Sequence, residues 1–250
     1  MADGPPHAVR CLKNDDGPSG VWLVQRPGEV LRTLKLWPAV PGTLVKLALR
    51  IAQPQRQIRG AALLERSGVL TPAIVGSWRL ARYGGRRWVQ LEMSYIEGRS
   101  AFELLQAGAE AGEAVRRCAR PIGRAVGAIA NAGLLHRDLK LRNVIVEEGT
   151  DPPRVWIIDP VGVRRMNDRP LAFLRMLDRL VVEAVHEGVR LPRDVWQPAL
   201  RAALTGQTRI VRRVVCGLMR EHLRQRYGQS RRGSETDPPP TLAEETARPE

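Results

Sequence analysis

Over the first hundred positions apolar and polar residues alternate in short runs; after that, apolar residues recur every three or four positions. This change of period places strands first and helices afterwards. Residues 8–13 and 21–26 flank the turn-rich stretch NDDGPSG, and a third run, 29–37, follows Arg26-Pro27-Gly28. A three-stranded meander is predicted there. Leu44, Leu47, Ile51, Ile58, Ala62 and Leu63 stand among basic residues over 43–66, interrupted at Gln53-Pro54, which predicts one or two helices ending near Ser67-Gly68. Runs 73–81 and 87–96, separated by Arg82-Tyr83-Gly84-Gly85-Arg86, carry a hairpin signal. Five strands and a helix make a small α+β lobe.

From Ser100 the pattern is helical. A short helix is predicted over 101–106, and Val115, Cys118, Ile122, Val126 and Ile129 mark a longer one that Pro121 kinks and Asn131-Ala132-Gly133 ends. LLHRDLKLRNVIVEEG and PRVWIIDPVGVRR then hold strand-like runs broken by charged, Gly and Pro residues, the mark of loops that carry chemistry. Helices follow over 170–187, 193–205 and 207–226. Beyond Tyr227 the chain is rich in Pro, Glu, Ser and Thr with few apolar residues, which predicts a disordered tail. The expected organisation is a first lobe over 1–94, a second over 95–228 and a tail over 229–250.

Composition narrows the class. The 250 residues, 43% hydrophobic, suffice for a substantial core. No run reaches the roughly 18 apolar residues of a membrane span, and MADGPPHAVR lacks the order of a secretory signal, so a cytoplasmic protein is expected. Cys11, Cys118 and Cys216 are odd in number and far apart, and read as reduced structural thiols. His7, His186 and His222 have no partners at metal-ligand spacing. A net charge of +14 invites a polyanionic partner, but the arginines are spread along the chain and equally reflect compositional bias. With aromatics at 4% there is no stacking platform for single strands, and no nucleic-acid partner is expected. Nothing in the pattern specifies an oligomer.

The chemistry concentrates in His136-Arg137-Asp138-Leu139-Lys140-Leu141-Arg142-Asn143, which satisfies the pattern H-R-D-x-x-x-x-N between a helix and a strand. Phosphoryl transfer needs an aligned acceptor hydroxyl, held metal ions and neutralised charge. In that scheme Asp138 accepts the acceptor's proton, Asn143 binds magnesium through its amide oxygen and Lys140 neutralises the transferring phosphate. Sixteen residues on, Asp159 ends the apolar run Val155-Trp156-Ile157-Ile158, where a metal ion would compensate its burial; the plainer alternative is a turn opened with Pro160. Lys35, on the third predicted strand, suits the α- and β-phosphates of a nucleotide, with Lys46 as the rival lysine at a helix start. Gly17 and Gly20 are candidates for a loop over the phosphates, although two glycines beside a proline also make an ordinary turn. Ser94 and Ile96 stand where strands give way to helices, in position to meet the adenine as a hinge.

Together these residues resemble the protein-kinase-like superfamily and, more narrowly, the bacterial lipopolysaccharide kinase (Kdo/WaaP) family. The resemblance covers roughly residues 8–205 and includes Gln55-Arg56-Gln57-Ile58-Arg59, Gly68-Val69-Leu70-Thr71-Pro72 and the two loops quoted above. It implies a two-lobed α+β fold, with a small antiparallel-sheet lobe and a mainly helical one. It also implies ATP and Mg²⁺ as cofactors and phosphorylation of a sugar or glycolipid hydroxyl at the cytoplasmic face of the inner membrane. Three departures stand out. Gln57 occupies the place of the family's helix glutamate, with Glu65 as the alternative partner of Lys35; Pro160-Val161-Gly162 follows Asp159 in place of Phe-Gly; and the small-lobe glycines are minimal. They open a second reading, a kinase-like scaffold without strong catalysis. The third, an atypical Ser/Thr protein kinase, has against it that no Ser, Thr or Tyr lies between Asp159 and Thr205. Over 207–226 apolar and arginine residues form a basic amphipathic helix suited to anionic lipid, or to packing on the second lobe.

Overall fold

Alternation in the first ninety residues resolves into one antiparallel sheet. A computed structural model describes residues 5–14, 20–107, 112–189 and 191–230. In it β1 (Ala8–Asn14), β2 (Gly20–Val24), β3 (Arg32–Pro38), β4 (Ile74–Tyr83) and β5 (Arg86–Ser94) assemble in the order β1-β2-β3-β5-β4. The meander β1-β2-β3 and the β4-β5 hairpin were both legible in the pattern, but the sequence does not reveal that β5 inserts between β3 and β4. The hairpin turns on Gly84 and Gly85 alone, both at positive φ, as a two-residue turn with the sheet's own twist requires.

Each face of the sheet has its own cluster. Leu34 and Leu36 of β3 join Val24 beneath Trp22, Tyr83 and Trp88 on one face. On the other, Val89 meets Leu47 of α1 (Pro41–Ala48) and Ala52 at the start of α2 (Gln53–Arg66), among Trp37, Ala39 and Trp78. The predicted helical region is therefore two helices, broken before Gln53-Pro54, where proline is tolerated in a first turn.

The helical part begins with β6 (Arg99–Ser100), a short strand not predicted, and α3 (Ala101–Gln106), whose Ser100 and Glu103 form a reciprocal capping box. Then come α4 (Gly112–Asn131), β7 (Leu134–His136), β8 (Val144–Glu147), β9 (Arg154–Ile157), β10 (Val163–Arg165), α5 (Arg169–His186) and α6 (Arg193–Ala203). β6, β8 and β9 make one small sheet, and β7 and β10 another. Leu104, Val115, Cys118, Val146 and Val195 form the core that α3, α4, β8 and α6 share. Burial pushes the Cys118 thiol up to about 11, so it stays protonated. Contacts divide the chain into a unit over Met1–Thr205 and another over Gly206–Glu250, whose described element is α7 (Arg209–Ser230). The expected tail meets α7 at 229 and 230 and otherwise lies outside the described residues.

Helix α2 is seated on the single tight turn Pro160–Gly162. A Cβ on Gly60 would stand 1.9 Å from the Pro160 carbonyl oxygen. Arg56 donates to the Val161 carbonyl at 3.2 Å, and the Gly162 carbonyl accepts from the Arg137 N–H at 3.2 Å. Gly60→Ala is expected to force α2 off this turn and lower stability by about 1–3 kcal/mol, visible as a fall in Tm by thermal unfolding; an unchanged Tm would refute the close seating.

Candidate active site

Lys35 lies at the centre of β3, between Val21 and Leu91 on the neighbouring strands. Its Nζ donates to Asp159 Oδ1 at 2.7 Å and to Gln57 Oε1 at 3.2 Å. Lys46, the rival lysine, is exposed on α1, and Glu65, the alternative partner, is exposed near the end of α2. Gln57 is 1% exposed, and its Nε2 donates to Met93 Sδ at 3.3 Å. Since an ammonium only donates, the amide oxygen must face Lys35 and the amide nitrogen must face the sulfur. A carboxylate here would turn an acceptor toward another acceptor.

Asp159 follows β9 in the left-handed region, at φ 55 and ψ 56, a conformation non-glycine residues rarely adopt and one associated with functional sites. The Ile158 N–H donates to the Asn143 carbonyl at 2.9 Å, tying this segment to the preceding loop. Burial alone would raise the Asp159 carboxyl, but Lys35, with a smaller contribution from Lys13, holds it below its ordinary range. It is an anion wherever the protein is folded near neutrality.

The loop from Arg137 to Asn143 is anchored by buried Leu139 and Leu141, while Asp138 and Lys140 remain partly exposed. Asn143 Nδ2 donates to the Asp138 carbonyl at 2.8 Å and to its Oδ2 at 3.4 Å. Lys140 Nζ stands 3.7 Å from the same Oδ2. Arg179 of α5 donates through Nη2 to Asp138 Oδ1 at 2.9 Å. Sequence reading missed this last residue because its only signal is an arginine in an amphipathic helix, indistinguishable from its neighbours.

Beneath both aspartates lies His136, fully buried, its Nδ1 accepting from the Asp138 N–H at 3.3 Å. Burial lowers its pKa to about 4, against the opposing pull of Asp159, Asp138 and the Ile158 carbonyl. It is therefore a neutral imidazole with its proton on Nε2, orienting the loop without adding charge.

The structure thus gathers Lys35, Gln57 and Asp159 in one hydrogen-bonded group and Asp138, Lys140 and Asn143 in another, joined by the Ile158–Asn143 bond. Ser94 ends β5, its Oγ accepting from the Ala73 N–H at 2.9 Å, and half-buried Ile96 lies in the segment after it. Gly20 is part of β2, paired with Asn14 and Leu36, while Gly17 lies outside the described residues. For a cation the fitting atoms are few. Asn143 commits Nδ2 to Asp138, which leaves Oδ1, and Asp159 commits Oδ1 to Lys35, which leaves Oδ2. Among the described residues no group of three or more His, Cys, Asp or Glu side chains is placed to hold a metal ion, so any cation here would need ligand oxygens besides those of the protein.

Two outcomes follow. Unfolded His136 titrates near 6.5 and folded His136 near 4, so its contribution is whole above pH 6.5 and disappears as pH falls to 4. A loss of roughly 3 kcal/mol over that window is expected in denaturant titrations and should be largely absent in His136→Gln. Gln57→Glu is expected to lower Tm, by about 1–3 kcal/mol in stability, because one carboxylate oxygen is buried against the Met93 sulfur; a higher Tm would show that the added ion pair with Lys35 prevails.

No protein-family model matches the chain, and no curated protein matches it in sequence. Among solved structures, one described as "WaaP in complex with acyl carrier protein" aligns with a TM-score of 0.63 at 16% identity, covering 88% of each chain. At that identity the likeness is one of fold. The mixed α/β architecture, with its five-stranded antiparallel sheet and several helices, is similar to that of this WaaP structure.

Proposed function

We propose that this chain is a phosphotransferase that uses ATP and Mg²⁺ to phosphorylate a hydroxyl of a sugar or glycolipid related to the lipopolysaccharide core, on a two-lobed protein-kinase-like fold. The observation that carries the reading is the meeting of Lys35 from the sheet with Asp159 from the loop after β9, at 2.7 Å, beside the loop of Asp138 and Asn143. The fold likeness to the WaaP structure agrees with it.

Each residue has a task in this scheme. Lys35 would hold the α- and β-phosphates, and Gln57 would orient it by a hydrogen bond in place of an ion pair. Asn143 Oδ1 and Asp159 Oδ2 would hold Mg²⁺, which supplies neutralisation of phosphate charge when bound. Asp138 would align the acceptor hydroxyl and take its proton, with Lys140 beside it offsetting phosphate charge. Arg179 holds Asp138 Oδ1, so that the acceptor hydroxyl finds the carboxylate in one orientation. Gly20, Ser94 and Ile96 are assigned to the nucleotide by position alone, as is Gly17. The absence of Ser, Thr and Tyr between Asp159 and Thr205 favours a small or lipid-linked acceptor over a protein substrate.

A second reading, a kinase-like scaffold, draws on two observations: Lys35 lacks a helix carboxylate, and Arg179 occupies Asp138. One experiment separates the two. Saturating Mg·ATP, at about a hundred times its Kd, is expected to stabilise the wild type by about 2.7 kcal/mol and Asp159→Ala not at all. Slow ATP turnover should fall roughly 10²–10⁴-fold in Asp138→Asn without loss of fold. If the wild type neither gains stability nor turns over ATP, the phosphotransferase reading fails and the scaffold stands.

A further inference from the structure

Helix α1 buries one side chain and exposes an apolar stripe. Leu47 packs under the sheet. Val45 and Leu49, at i and i+4, stand opposite Leu47 and are 58% and 63% exposed, and Leu44, 36% exposed, and Ala48 flank them. Val40 before the helix and Ile51 after it, 51% and 54% exposed, extend the stripe at both ends. Scattered exposed leucines need no explanation, but five large apolar side chains along one eight-residue helix and its ends do.

The charge around the stripe is of one sign. Between Glu29 and Glu65 the sequence has no Asp or Glu, and its basic residues outside the Lys35 site include Lys46, Arg50 and Arg59. Lys46, Arg50 and Arg59 are exposed beside the stripe, and the Arg59 guanidinium donates to the Arg50 carbonyl at 2.9 Å, which holds these two basic residues together. This helix buries Leu47 alone of its side chains. It has the features of an interfacial helix: a short apolar face for the acyl boundary and long basic side chains for the headgroups.

We propose that α1 and its flanks form a membrane-docking surface whose occupant is an anionic phospholipid bilayer. The surface is independent of the phosphotransferase reading, because none of its residues belongs to the Lys35–Asp159 or Asp138–Asn143 groups. It is also distinct from α7, whose basic amphipathic pattern marks a rival lipid contact.

The test is co-sedimentation of the full chain with vesicles of phosphatidylcholine containing about 30% phosphatidylglycerol, and with vesicles of phosphatidylcholine alone. The wild type is expected to bind the anionic vesicles, to release as salt rises, and to bind the neutral ones weakly. Val45→Asp with Leu49→Asp should cut binding at least about tenfold and leave Tm unchanged, both side chains being exposed already. Lys46→Gln with Arg50→Gln should weaken anionic binding only. Arg212→Gln with Arg213→Gln, on α7, should retain most of it. The proposal is overturned if the wild type binds neither vesicle, or if the α7 pair abolishes binding while the α1 pair does not. Concentration-dependent self-association removed by Val45→Asp with Leu49→Asp, without vesicle binding, overturns it in favour of a contact between copies. ATP turnover of the same variants reports on the phosphotransferase reading separately.

Discussion

The ion pair between Lys35 and Asp159 joins two parts of the chain that are 124 residues apart, and the rest of the site is arranged around it. Neither partner reaches the other by local geometry. Lys35 is presented by the central strand of the sheet, held in register on both sides. Asp159 is presented by a left-handed residue whose following turn is pressed against α2 at Gly60. The strain of that conformation persists because the surroundings determine it: Arg56, Gly60 and the Arg137 N–H all bear on residues 160–162. α2 therefore does two things at once, orienting Lys35 through Gln57 and seating the segment that carries Asp159.

Around this pair charge is balanced at short range. Asp159 has Lys35; Asp138 has Arg179 at 2.9 Å and Lys140 at 3.7 Å. Near both carboxylates a buried imidazole stays neutral, so the site carries no further buried charge. Using Gln57 where a glutamate would have been possible follows the same economy. With Met93 sulfur on its far side, an amide satisfies both of its ends where a carboxylate satisfies one.

Several contacts secure the loops from outside the site. Arg142, directly before Asn143, lies over the Phe102 ring at 3.8 Å and pairs with Glu183 of α5 and with Glu187 just after it. α5 thus grips the loop twice, through Arg142 at its back and Arg179 at Asp138. In the neighbouring helical layer, Cβ atoms on Gly123 and Gly127 of α4 would meet the Ala199 and Ala203 carbonyls of α6, so these two helices approach as closely as backbones allow.

The sequence alone determined what local patterns can determine. Period-two alternation marked the strands, and the 3.6-residue recurrence marked α4, α5 and α6, because both periods record which face is buried. The loop from His136 to Asn143 was legible as the pattern H-R-D-x-x-x-x-N, residue types at fixed spacing within one short segment. The tertiary structure decided what depends on distant partners. It placed β5 between β3 and β4, brought Lys35 to Asp159, set Gln57 against Met93, and laid Arg179 on Asp138. It also left the apolar side of α1 uncovered, although its pattern resembles that of a buried helix. Periodicity reports that a side chain is apolar or charged; which residue it meets across a hundred others depends on how the elements pack, and that is written only in three dimensions.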